Sequence, residues 1–191
     1  MRFAEDIEMA YDMRNDLQET LVSKEEIDAI VARLGAEISR DYEGKNPILI
    51  TVLKGAFIFM ADLCRAITVP CTMDFMSVSS YGNGSTTSGT VRIRKDLDVD
   101  IKGQDVIIVE DILDSGVTLS NLIEMLQTRD PASMKLVTLF DKPDRRKADV
   151  TIDYCGMQVP DAFIVGYGLD YAEKYRNLPE VSILKPEVYT K

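Results

Sequence analysis

Three short apolar runs constrain this chain more than any other feature. They are Pro47–Leu53 (PILITVL), Asp105–Asp111 (DVIIVED) and Met134–Phe140 (MKLVTLF). None shows the apolar–polar alternation of a strand with one wet face. Runs of this kind suit strands covered on both sides, as in a parallel sheet. Helical segments separate them. Ser23-Lys24-Glu25-Glu26 has the capping-box pattern, and Ile27, Ile30, Val31, Leu34 and Ile38 follow at helical spacing until Gly44 and Pro47 stop the helix. AFIFMADLCRAI, residues 56–67, reads as a second helix, ending before Pro70. LSNLIEMLQ, residues 119–127, reads as a third, opened by the turn ILDSGVT. Cys71–Tyr81 and Val91–Asp98 are further strand candidates. Strands thus alternate with helices from residue 24 to about 140, which predicts an α/β domain around a mostly parallel sheet.

The two ends are less regular. Residues 1–22 carry no clear pattern. After Asp141 the chain lacks long helices and offers only VTIDYC (150–155), AFIVGYG (162–168) and VSILK (181–185) as strands, punctuated by Pro160, Pro179 and Pro186. This tail is expected to form a small hood beside the sheet, with part of the N-terminus. A chain of 191 residues then reads as one domain, with its core at about 24–140 and its hood at about 141–191.

Composition removes whole classes of chemistry. The sequence contains no histidine, so it has no Ser-His-Asp or Cys-His nucleophile system and no His-ligated metal. Proton transfer near neutral pH falls to Asp, Glu, Lys, Tyr or Cys. Cys64, Cys71 and Cys155 are an odd, scattered set without a Cys-x-x-Cys pair, which argues against a zinc site or a disulfide framework and for a reducing, cytoplasmic setting. With 22 basic and 32 acidic side chains the formal charge is −10, which weighs against sequence-independent binding to nucleic acid. No apolar stretch is long enough to span a bilayer, and the N-terminus lacks the apolar core of a signal peptide.

The chemistry concentrates in VIIVEDILDSGVTLSNL. Glu110 and Asp111 stand side by side after four aliphatic residues, where the strand is expected to end. Adjacent carboxylates repel, and burying them is costly without a compensating partner. A sugar diol or a magnesium-bound sugar is such a partner. Three residues on, Asp114-Ser115-Gly116-Val117-Thr118 turns into a helix, whose unpaired N–H groups, flanking hydroxyls and close-approach glycine make a phosphate cradle. In open α/β sheets, ligands bind outside the carboxyl ends of the strands, which is where these residues fall.

This stretch resembles the phosphoribosyl pyrophosphate signature of type I phosphoribosyltransferases. Leu53-Lys54-Gly55 is similar to that family's pyrophosphate loop. Ser80-Tyr81 and the Gly-rich segment after it are similar to its mobile catalytic loop. Lys142, with DAFIVGYGLDYAEKYRNLP from Asp161 to Pro179, resembles the purine-binding cap of the hypoxanthine-guanine members. The resemblance implies a type I phosphoribosyltransferase fold, a purine salvage activity that yields IMP or GMP, a magnesium cofactor and a homodimer or homotetramer. It implies that Glu110 and Asp111 take the ribose hydroxyls, directly or through magnesium. Asp114 would serve the imidazole nitrogen of the base as proton acceptor or donor, and Asp114, Ser115, Gly116, Val117 and Thr118 would hold the 5′-phosphate. Lys54, Gly55 and Arg176 would meet pyrophosphate, with a non-proline cis peptide before Lys54, and Ser80 and Tyr81 would belong to the closing loop. Lys142 would donate to the 6-oxygen, Phe163 would stack on the base, the Ile164 backbone would meet its pyrimidine edge, and Asp170 would hold magnesium through water. The loop here departs from some relatives in its Thr- and Ser-rich stretch, Ser85 to Ser88.

The residues alone allow blander readings. Lys54-Gly55 is an ordinary strand exit, Gly82-Asn83-Gly84 a hairpin turn, and Asp141–Asp149 a solvated charged loop. Phe163 fits a core position, and Tyr171 and Tyr175 fit packing. Two other functions stay open at this level: a xanthine-preferring transferase, and a regulatory protein of the same fold that senses phosphoribosyl pyrophosphate.

Overall fold

The structure is a computed structural model that describes residues 12–80 and 91–190. Tyr81 and the Gly-rich segment lie outside the described residues.

A six-stranded sheet runs in the order β4-β3-β2-β5-β6-β7, with β2 (Ile48–Val52), β3 (Thr72–Ser80), β4 (Val91–Lys95), β5 (Asp105–Leu113), β6 (Ser133–Asp141) and β7 (Tyr154–Gln158). All neighbours are parallel except β4, which pairs antiparallel with the end of β3. Helices α1 (Lys24–Asp41), α2 (Phe57–Ala66) and α3 (Val117–Gln127) cover both faces. The capping box at Ser23 and Glu26 forms as expected.

The unbroken apolar run of β5 has a simple cause. Side chains alternate across a strand, and here both faces are covered. Ile107 and Val109 join the cluster with Leu34, Phe59 and Leu63 from α1 and α2. Val106 and Ile108 join the opposite cluster, with Leu122 and Leu126 from α3. All four are fully buried, each worth roughly 1.5–3 kcal/mol in transfer from water. The central strand is thereby pinned from two sides, and its carboxyl end is a rigid platform.

A second sheet of three antiparallel strands, in the order β1-β9-β8, forms the hood from β1 (Leu17–Val22), β8 (Ile164–Val165) and β9 (Val181–Leu184), with the short helix α4 (Pro186–Tyr189) beside it. The N-terminal strand had no sequence signal, because only Val22 of LQETLV is fully buried. The core also takes a strand from beyond Asp141, since β7 completes the large sheet. That strand is YCGMQ and not the expected VTIDYC. Val150 and Ile152 pack against the α3-side cluster as loop residues, so their apolar spacing reflects packing without strand pairing. Among the described residues no helix is long and apolar enough to cross a membrane.

Candidate active site

Strand β5 does not stop at Asp111. It pairs with β6 as far as Leu113↔Asp141, so Glu110 and Asp111 sit inside the strand and point to alternate sides. Burial, and then the neighbouring Asp111, push the Glu110 carboxyl well above the usual carboxylate range. Burial pushes Asp111 up to about 6, against the lowering effect of backbone N–H donation and of Arg176. The empty site therefore resists ionising this pair, and a diol or a cation would relieve the cost.

The loop after β2 closes on Asp111 from one side. Its Leu53–Lys54 peptide is cis, the isomer the resemblance implies. Gly55 leaves no room for a side chain: a Cβ there would collide with Oδ2 of Asp111. Lys54 reaches out to Glu173, with Nζ 2.9 Å from Oε2.

Beyond β5, Gly116 adopts φ +76° and caps α3 without a side-chain hydrogen bond, and the first turn of α3 carries no acid. The N–H groups of that helix start thus have no acidic side chain of their own turn to cap them. The loop itself is stapled from behind. Nε of Arg146 donates to the Asp114 carbonyl at 3.2 Å, and the same guanidinium pairs with Asp141. The N–H groups of Lys147 and Ala148 both donate to the Ser115 carbonyl, at 2.9 and 3.1 Å. The Asp114 carboxylate is left available: its Oδ1 accepts no hydrogen bond among the described residues, and Nε of Arg145 lies 3.4 Å away.

The hood supplies the other wall. Lys142 is buried, and its Nζ donates to the Ala162 carbonyl at 2.8 Å, which leaves donors to spare on an ammonium with three. Phe163 is 37% exposed, unusual for so large an apolar side chain here. Its ring stacks on Tyr189 at 4.8 Å between centroids and meets Tyr171 edge-on at 5.6 Å. Arg176 holds the turn from Gly166 onward: it donates to the Gly168 carbonyl at 2.7 Å and pairs with Asp170 at 2.8 Å.

Two cavities result. One, of about 530 Å³, is walled by Lys142, Phe163, Ile164, Asp170, Arg176 and Tyr189, among others. The second, of about 320 Å³, is walled by Lys54, Glu110, Ser115, Gly116 and Thr118, among others. Gly55, Asp111, Ile112 and Asp114 line both. Asp114 therefore stands where the two chambers meet.

The structure brings together all but a few of the residues singled out from the sequence. Tyr81 lies outside the described residues, and Ser80 is placed only as the last residue of β3. Val117 is the first residue of α3 and lines neither cavity. Glu110, Asp111 and Asp170 do not converge into a ready-made metal cluster among the described residues. Sequence reasoning passed over Arg145, Arg146, Glu173 and Tyr189. The first two were visible only as a charged run, Glu173 lies in the cap segment without an assigned role, and Tyr189 belongs to no motif.

Comparison with known proteins agrees with this geometry. Residues 18–172 match the phosphoribosyl transferase domain family. A hypoxanthine-guanine phosphoribosyltransferase of Bacillus subtilis is 55% identical over 177 residues, which is 93% of this chain and 98% of that protein. The bifunctional protein TilS/HprT of Listeria monocytogenes is 50% identical over 190 residues, and the chain spans 29% of its length. A crystal structure of a hypoxanthine phosphoribosyltransferase from Staphylococcus aureus superposes with a TM-score of 0.92 at 49% identity, covering 96% of this chain and all of that one. The chain belongs to the phosphoribosyltransferase family, within its hypoxanthine-guanine branch.

Proposed function

We propose that the protein joins hypoxanthine or guanine to 5-phosphoribosyl 1-pyrophosphate, releasing IMP or GMP and pyrophosphate. The observation that carries this reading is the pair of cavities meeting at Asp114. One has the chemistry for a planar oxo base and the other for a phosphorylated sugar.

In the base chamber, Lys142 donates to the 6-oxygen, Phe163 supplies a stacking face, and the Ile164 backbone meets the pyrimidine edge. In the sugar chamber, the start of α3, from Ser115 to Thr118, holds the 5′-phosphate, and Glu110 and Asp111 accept from the ribose hydroxyls. Lys54, the Gly55 backbone and Arg176 face pyrophosphate, and Ser80 and Tyr81 act on the same leaving group. The base nitrogen bonds to the anomeric carbon as the carbon–oxygen bond to pyrophosphate breaks, and pyrophosphate keeps the electron pair. Asp114 takes the imidazole proton of the base, through an Oδ1 that accepts no hydrogen bond among the described residues. Positive charge grows on the ribose ring meanwhile, and the carboxylates beneath it stabilise that charge.

The donor set fits magnesium. It consists of hard carboxylate oxygens, too few and too dispersed for an all-protein cage, the arrangement this ion favours when substrate oxygens and water complete its shell. Glu110 and Asp111 on one side and Asp170 on the other would hold it, and when bound it offsets charge on the departing pyrophosphate. The same reading includes a homodimer or homotetramer in the cytoplasm, one domain per chain.

A substrate panel tests the proposal. Hypoxanthine, guanine, xanthine, adenine and uracil are each mixed with phosphoribosyl pyrophosphate and magnesium while pyrophosphate release is followed. Turnover with hypoxanthine or guanine is expected. Preference for xanthine would move the specificity within the branch, and silence with all five would end the enzymatic reading.

A further inference from the structure

Glu173 lies within the cap segment but was given no role there, yet its carboxylate joins two cations of the pyrophosphate face. One oxygen, Oε2, lies 2.9 Å from Nζ of Lys54 and 3.6 Å from Nη2 of Arg176. The two cations come from opposite sides of the site, one from the loop after β2 and the other from the hood.

The local backbone is bent to put it there. Ala172 and Glu173 both have positive φ, +51° and +64°, a region that side chains with a Cβ rarely occupy and that collects at functional sites. The N–H of Glu173 donates to Oδ2 of Asp170 at 2.9 Å, and the other oxygen of Asp170 pairs with Arg176. The turn is thus locked to the arginine it serves. Arg176 is still short of acceptors, because its buried Nε has no hydrogen-bond partner among the described residues. A buried donor without an acceptor is uncommon, and it marks a site prepared for more anionic oxygen than the empty protein provides.

We propose that Glu173 is a removable stand-in for pyrophosphate. In this structure a single carboxylate bridges Lys54 and Arg176. An incoming diphosphate brings more charge and more oxygens and displaces it. When pyrophosphate leaves, the carboxylate returns and competes against rebinding. The exposure of the Lys54–Glu173 pair, 64% and 65%, suits this role, since a solvent-screened ion pair is weak enough to exchange. This inference rests on the assignment of Lys54 and Arg176 to pyrophosphate.

The test is calorimetric titration of the full-length protein with magnesium pyrophosphate, alongside steady-state KM values. Glu173→Gln keeps the shape and removes the competing charge. It is expected to tighten pyrophosphate binding about 2- to 5-fold and to lower the KM for phosphoribosyl pyrophosphate in parallel, with the KM for hypoxanthine unchanged. Lys54→Met is the companion variant. It is expected to weaken pyrophosphate binding, and adding Glu173→Gln to it should then tighten binding less than in the parent. Unchanged or weaker pyrophosphate binding in Glu173→Gln, with Lys54→Met weakened as expected, overturns the stand-in alone. Unchanged binding in Lys54→Met overturns the pyrophosphate assignment and the stand-in with it.

Discussion

The two halves of the site are built by different means. The sugar half is built mainly from one contiguous segment, residues 110–118, at the end of a strand paired on both sides and buried on both faces, with the Lys54-Gly55 loop closing it. The base half is assembled from residues 142–189 and leans on a three-stranded sheet closed by the N-terminal strand. Its turns carry positive φ at Tyr167, Ala172, Glu173 and Tyr175, and its charges sit in shared, partly exposed pairs. The difference teaches where each half can give way. The sugar half stores an electrostatic cost in one buried and one half-buried acid on a fixed platform. The base half is held by packing and by exchangeable ion pairs, so it can adjust to its ligand.

Breaking each half should therefore show in a different constant. The largest effect is expected at the junction. Asp114→Asn should lower kcat by about 100-fold or more while changing the KM for hypoxanthine little, as read in steady-state kinetics; unchanged turnover would remove Asp114 from the proton transfer. Lys142→Ala should cut kcat/KM for hypoxanthine by about 10-fold or more, since a charge-assisted hydrogen bond is lost, with the KM for phosphoribosyl pyrophosphate much less affected. Equal losses for both substrates would erase the division between the halves.

The change that Asp111→Asn makes in the pH dependence of stability probes the sugar half. The folded state raises Asp111 from its ordinary 3.8 to about 6. A carboxyl raised in this way is protonated in the folded protein while already ionised in the unfolded chain. The Asp111 contribution to stability should then be fully present below pH 4 and be lost as pH rises from about 4 to 6, while Glu110, raised in the same direction, extends the loss to higher pH. The Asp111 part of that loss is on the order of 3 kcal/mol. Denaturant titrations of the ligand-free protein across this window should show the slope, and Asp111→Asn should flatten it. A pH dependence left unchanged by Asp111→Asn would mean that the folded protein does not hold this acid protonated. The smallest effect concerns the base half. Tyr189→Ala removes the ring stacked on Phe163 and should raise the KM for hypoxanthine about 2- to 10-fold. Tyr189→Phe should restore it, and the KM for phosphoribosyl pyrophosphate should not move.

Legibility in the sequence follows the same division. Glu110, Asp111, Asp114 and Ser115–Thr118 could be read because strand, turn and helix start are written in consecutive residues, each with its own chemistry. Even there one detail escaped. The strand continues to Leu113, because pairing with Phe140 and Asp141 of β6 extends it past the acids. In the tail, VTIDYC was a reasonable strand by its spacing, but Val150 and Ile152 are buried as loop residues and the pairing starts at Tyr154. Glu173 falls inside the cap segment and Tyr189 outside every motif, but the contacts of neither could be read from the sequence. Their partners, Lys54 and Phe163, are 119 and 26 positions away, and no local period links them.

The sequence by itself determined the alternation of buried strands with capped helices and the acidic segment that opens α3. These depend on hydrophobic period, capping and turn chemistry, which act within windows of roughly 11–18 residues. Only the tertiary structure decided that Leu17–Val22 closes the hood against Val181–Leu184, that Asp114 stands between two chambers, and that one glutamate bridges two distant cations. Those outcomes follow from how the chain folds back on itself, where burial and charge are settled by neighbours that the local sequence does not contain.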